Sequence, residues 1–186
     1  MVQNNYKDRN LEIILNLLRK KENHIRSIAK DLDISHTTIL RKADELVKEN
    51  VLDYKKEGKN KVFFLKNTLK AKNYVYMSEN YKTNKALKKY PELSIIMKEI
   101  ANNVKSNLII LFGSYAKFNA KTDSDIDIFI ETKDTKLKEK LKQISKRINL
   151  KTGKFDLNNN LIKEIIKDHI IIKGVEIFYE KKEFFE

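Results

Sequence analysis

Apolar residues along this chain switch between two spacings. Over LEIILNLL, residues 11–18, they recur every three or four positions, which predicts a helix buried along one face. Residues 24–31 predict a second, shorter helix with Ile25, Ile28 and Ala29 inward. A longer helix follows Ser35, whose hydroxyl suits an N-cap. Its stripe is Ile39, Ala43, Leu46 and Val47, with Thr37, Thr38, Arg41 and Lys42 near the opposite face and Leu40 off the stripe. VLDYKKEGKNKVFFL then predicts a hairpin turning at residues 57–60, where Gly58 supplies backbone freedom.

Residues 67–90 hold neither glycine nor proline and only one acid, so they read as helix. Their tyrosines, Tyr74, Tyr76, Tyr81 and Tyr90, interleave with lysines. That suits either stacking on nucleic acid or, as the reading preferred here, tyrosines packed on a neighbour with lysines in water. Pro91 opens another helix, to residue 104, striped by Leu93, Ile96, Met97, Ile100 and Val104. Residues 108–112 are apolar, branched and too few for a helix, which predicts a buried strand. Gly113-Ser114 must turn the chain. The residues after it can start a helix, whose unpaired N–H groups beside a hydroxyl suit a phosphate. Residues 125–130 predict a second strand, with Ile126, Ile128 and Ile130 on one face and Asp125 and Asp127 on the other. A helix over residues 135–148, a short extended stretch around Asp156 and a last strand, VEIFYE, complete the chain.

Composition narrows the chemistry. With 186 residues, 41% of them hydrophobic, the chain can bury two cores. It has no cysteine, which removes disulfides and thiolate metal sites, and its three histidines show no ligand spacing. The N-terminus lacks the apolar segment of a signal peptide and no apolar run reaches membrane-spanning length, so the expected setting is cytoplasmic with no membrane. Net charge is +13, and it is uneven: 15 basic against 10 acidic residues over 1–66, 6 against 1 over 67–90, 18 against 15 over 91–186. The first half is the one suited to a polyanion, although a solvated lysine surface accounts for the charge equally well.

Three helices followed by a basic hairpin resemble the winged helix-turn-helix regulators of prokaryotes over about forty residues, 25–65. The resemblance implies that Thr37, Thr38 and Arg41 approach base edges of duplex DNA, with Lys42, Lys55, Lys56 and Lys59 near phosphates. The competing reading is a winged helix used for protein contact or dimerisation, and a dimer is compatible with either.

Two carboxylates on one strand face repel unless a cation lies between them, and magnesium with oxygen ligands answers that need. A surface loop followed by a strand with polar outer positions is the bland alternative. GSYAKFNAKTDSDIDIFI resembles the signature of the polymerase-beta-like nucleotidyltransferases, in particular the minimal nucleotidyltransferases of prokaryotes, which commonly read close to GSYARGEATPESDIDLLV. Gly113, Ser114, Tyr115, Ala116, Ala120, Ser124, Asp125, Ile126 and Asp127 match; Phe118 stands where the family form has glycine.

The resemblance, over residues 91 to about 180, implies nucleotide phosphates at Gly113 and Ser114 and metal at Asp125 and Asp127. It also implies a third catalytic and metal-binding carboxylate on a later strand, for which Asp156 is the choice over Asp123, Glu131 and Glu176. It further implies ATP as substrate, two Mg2+ ions, and transfer of AMP to a tyrosine of a small helical toxin partner. The rival functions are a DNA-binding regulator whose second domain only senses nucleotide or is inactive, and a transferase acting on RNA ends or small-molecule hydroxyls. The expected architecture is α+β: a winged helix over 1–66, a helical connector over 67–90, and a nucleotidyltransferase domain over 91–186 with a small mixed sheet flanked by helices.

Overall fold

The computed structural model describes residues 8–134 and 136–185. The described chain divides into two compact units, Met1–Ser78 and Glu79–Glu186.

In the first unit, helix α1 (Arg9–Lys20) is capped by Asp8, whose side chain accepts from the N–H groups of Asn10 and Leu11. Strand β1 (Glu22–His24), α2 (Ile25–Leu32) and α3 (His36–Lys48) follow. Ser35 caps α3 as expected, accepting from the Thr38 N–H, and Ile39, Ala43 and Leu46 are buried. Strands β2 (Leu52–Glu57) and β3 (Asn60–Leu65) pair antiparallel about a two-residue turn in which Gly58 has φ +59°. The sheet order is β1-β3-β2. β1 is too short to announce itself in the sequence, and its pairing with β3 closes the sheet against the helices.

Helix α4 (Leu69–Lys89) occupies the expected connector but is not a separate piece. Its first half belongs to the first unit, where Ala71 and Val75 are buried and the Tyr74 hydroxyl donates to Glu49 at 2.9 Å. Its second half belongs to the second unit, where Ala86 joins the core and the Thr83 hydroxyl donates to the Ile171 carbonyl at 3.1 Å.

The second unit continues with α5 (Glu92–Asn103), β4 (Ile109–Leu111), α6 (Gly113–Ala116), β5 (Ile126–Glu131), α7 (Leu137–Ile144), β6 (Ile148–Gly153), α8 (Asn160–Lys167), β7 (Ile170–Lys173) and α9 (Val175–Lys181). Four strands form a mixed sheet in the order β6-β5-β4-β7, with β5 and β6 parallel and the other pairs antiparallel. Ile126, Ile128 and Ile130 face a core that also holds Leu93, Met97, Ile100 and Tyr115. On the other face Phe129 packs edge-on against Phe155, and Phe155 against Phe178.

Three expectations change in this unit. The helix expected over 135–148 ends at Ile144, because Ser145 turns to extended backbone and Ile148 starts β6; Thr135 lies outside the described residues. VEIFYE is helix α9, not a strand. Asp156 is not on a strand but in the turn ahead of α8, where its Oδ1 accepts the Asn158 N–H at 2.9 Å.

Candidate active site

The site grows from one glycine. Gly113 leaves β4 with φ +68°, a conformation that costs an L side chain strain. A Cβ built there would lie 2.2 Å from Asp127 Oδ2 and 3.0 Å from its Cγ. The space that a side chain would fill is therefore taken by the Asp127 carboxylate. The Phe112 N–H donates to the Asp127 carbonyl at 2.9 Å, tying the backbone of the turn to β5. Gly113-Ser114 and Asp127, fourteen and thirteen residues apart in sequence, are one construction.

Asp125 is exposed, immediately ahead of β5, and Asp127 is half-buried on it. Two residues apart at the start of the strand, their α-carbons lie about 7 Å apart, and strand alternation puts both side chains on one face. Helix α6 is a single turn, with Ser114 half-buried in it.

The backbone just before Asp125 is held by Arg147, which the sequence reading passed over. Its Nε and Nη2 donate to the Ser124 carbonyl at 3.0 and 2.8 Å, and Nη2 also reaches the Tyr115 hydroxyl. Tyr115 in turn donates to Glu92 Oε1 at 3.3 Å. Burial raises the Tyr115 phenol above its ordinary value, with Glu92 reinforcing the shift against Arg147, so it stays protonated as a donor. The Lys121 N–H donates to Ser124 Oγ at 2.8 Å and closes the loop.

The register of β5 on β6 sets Asn149, not a carboxylate, beside Asp127. Asn149 Nδ2 donates to Asp127 Oδ1 at 2.8 Å. Asp156 lies at the other end. Phe155 donates its N–H to Glu131 Oε1 at 3.0 Å, so Asp156 is anchored near Glu131, four residues or about 13 Å along β5 from Asp127. The structure brings Gly113, Ser114, Asp125 and Asp127 together and leaves Asp156 out. Glu176 is on α9, and Glu131 is ion-paired with Lys181 at 3.1 Å.

Measured against a divalent cation, Asp125 and Asp127 are hard oxygen donors on one face and fit one ion. Among the described residues no third His, Cys, Asp or Glu joins them as a metal-holding group.

In the first unit, Thr37 and Thr38 sit in the first turn of α3, their hydroxyls 3.3 and 2.8 Å from Ser35 Oγ. Arg41 and Lys42 both pair with Glu45, each at 2.7 Å. Lys55 pairs with Glu22 at 2.8 Å, while Lys59 lines a cleft with His24, Arg26, His36, Leu40 and Lys61. Leu40, unexplained by the helical stripe, lies on this cleft and on a second one beside Arg41. Among the described residues no helix is long and apolar enough to cross a membrane.

A family model described as polymerase beta, nucleotidyltransferase, matches residues 82–183. Among solved structures the chain is similar to the adhesin competence repressor (AdcR) from Streptococcus pyogenes. The identity is 25% over 53% of this chain and 81% of that one, with a TM-score of 0.35, too loose a superposition to carry an argument. Among curated proteins none matches.

Proposed function

Because the chain belongs to the polymerase beta nucleotidyltransferase family, we propose that its C-terminal unit transfers AMP from ATP to a hydroxyl acceptor. The observation that carries this reading is the fit of the Asp127 carboxylate into the space left by Gly113, which joins the phosphate turn to the metal-binding pair. Ser114 and the N–H groups beside Gly113 hold the outer phosphates. Asp125 and Asp127 hold Mg2+, which when bound offsets phosphate charge at the reacting centre. Arg147 keeps the Asp125 backbone in place through the Ser124 carbonyl. The acceptor oxygen bonds to the α-phosphorus, the bond to pyrophosphate breaks, and the acceptor proton leaves to solvent. The finer acceptor, a tyrosine of a small helical toxin in the cytoplasm, rests on the resemblance to the minimal nucleotidyltransferases alone.

The first unit is proposed to bind duplex DNA through Thr37, Thr38, Arg41, Lys42 and Lys59. The cleft between α3 and the hairpin supports this with Arg26, Lys59 and Lys61. Full-length protein should retard duplex DNA with a steep salt dependence, lost on charge reversal at Arg41 and Lys59. Retardation unchanged by salt or by those reversals rejects the DNA role.

Transfer is tested with ATP labelled at the α-phosphate, which should mark the acceptor with release of pyrophosphate. A second reading, a regulator that senses nucleotide without transferring it, is favoured by the neutral Asn149 beside Asp127. Tight magnesium-dependent ATP binding with no labelled acceptor, in an extract of the cells that make the protein, would select it.

A further inference from the structure

We propose that Asn149 makes the site a one-ion site: it fills the position beside Asp127 with a neutral amide where a second divalent ion would need a carboxylate. The inference rests on the reading that Asp125 and Asp127 hold a metal–nucleotide complex, and it goes beyond that reading in fixing the number of ions.

Three observations lead to it. Parallel pairing places Asn149 opposite Asp127 on the neighbouring strand, so the two side chains share a face. The amide is engaged, its Nδ2 donating to Asp127 Oδ1 at 2.8 Å. A hydrogen-bond donor at that point occupies a lone pair that a bridging ion would take. The remaining acid of the sheet, Glu131, is committed to Lys181 and the Phe155 N–H, and Asp156, beyond the end of β6, to its own turn.

Charge gives the same answer. Besides the phosphates of the nucleotide, Asp125 and Asp127 are the anionic ligands that the protein brings, enough to hold one divalent ion. A second ion about 3.5–4 Å away depends on a further anionic ligand to share the load. Asn149 can still offer its carbonyl oxygen to the single ion by rotating its amide, but it adds no charge. The site therefore loads a nucleotide with its one ion, and an acceptor hydroxyl enters without a metal ion of its own to activate it.

The test is an ion count on full-length protein with Mn2+ and a non-hydrolysable ATP analogue. Wild type, Asn149→Asp and Asn149→Ala are compared by calorimetry and electron paramagnetic resonance. Wild type and Asn149→Ala should bind one Mn2+ per bound nucleotide, with the spectrum of an isolated ion. Asn149→Asp should bind two, with the spin coupling of neighbouring ions. Its melting temperature should fall without metal, from two facing carboxylates, and recover with Mn2+. Asn149 is exposed, so all three proteins are expected to fold. Two coupled ions in wild type, or a single ion in Asn149→Asp, overturns the inference and leaves the nucleotide reading standing. Absence of Mn2+ binding in all three overturns both.

Discussion

The two ends of β5 carry acids of opposite fate. At one end Glu131 meets a cation, Lys181 at 3.1 Å, and accepts the Phe155 N–H. At the other, Asp127 is met by a neutral amide and by the bare backbone of Gly113. Both acids are half-buried on the same strand. Where the protein supplies the counter-charge itself, the carboxylate fastens structure. Where no cation among the described residues meets it, the carboxylate is the one proposed to hold a metal ion.

The sharpest way to break this contrast is Asp127→Asn. Transfer and magnesium-dependent ATP binding should fall by roughly a hundredfold or more, the scale for losing one preorganised charge at a reacting centre. The melting temperature should hold or rise. Equal nucleotide affinity with and without chelator removes the metal role. Next in size is Gly113→Ala, which puts a methyl group against the Asp127 carboxylate and a side chain at φ +68°. It should cost about 1–2 kcal/mol of stability from the backbone alone and displace the carboxylate. Calorimetry should show nucleotide affinity lost along with the stability, and an unchanged Kd for nucleotide refutes the interlock.

Glu131→Gln should do the reverse: a loss of at most about 1 kcal/mol in denaturant unfolding, with nucleotide binding untouched. Smallest is Asp156→Asn, expected to leave transfer within about twofold because its carboxylate closes a turn. A collapse of transfer in that variant restores Asp156 to the site.

The second unit also carries a buried charge cluster where α4 meets α9 and the residue just before β7. Glu79 Oε1 accepts the Tyr179 hydroxyl at 2.7 Å and lies 3.3 Å from His169 Nε2, while Lys82 is 2.6 Å from Oε2. Burial works to raise the Glu79 carboxyl, but Lys82 and His169 outweigh it and hold it below the carboxylate range. Burial pushes His169 below its ordinary value, with Lys82 adding to the shift. A lowered histidine means that the unfolded chain takes up its proton first as pH falls. A lowered carboxylate contributes stability that is lost on further acidification. Both signs agree. The melting temperature of the second unit should drop as pH falls below about 6.5, continuing through the carboxylate range, and His169→Gln should flatten the upper part of that slope. A melting temperature that rises on acidification to pH 5 contradicts both directions.

Much of this was legible in the sequence for particular reasons. The pairing of Gly113-Ser114 with Asp125 and Asp127 is readable because a turn between apolar strands leaves few alternatives. The α3 cap and the Gly58 hairpin are readable because their chemistry is local. β6 was hidden because Leu137, Leu141, Ile144 and Ile148 continue a helical spacing past the true helix end, while Ile148 and Leu150 equally suit a strand. Asn149 then had no element to stand on, and Asp156 gained one that it lacks. α9 was hidden because the short stretch VEIFYE satisfies a two-residue alternation as readily as a helical turn. Arg147 gave no local signal, since its partners Ser124 and Tyr115 are distant in sequence.

Phe118 adopts φ +58°, the left-handed region, at the position where the family form carries glycine. Holding phenylalanine there costs on the order of 1–2 kcal/mol. The ring packs against the core, and Lys89 Nζ donates to its carbonyl at 2.5 Å. The core contact and the Lys89 bond offset that cost. Glycine at 118 would relieve that strain and at the same stroke empty a place beside the core, so the loop trades backbone ease for packing.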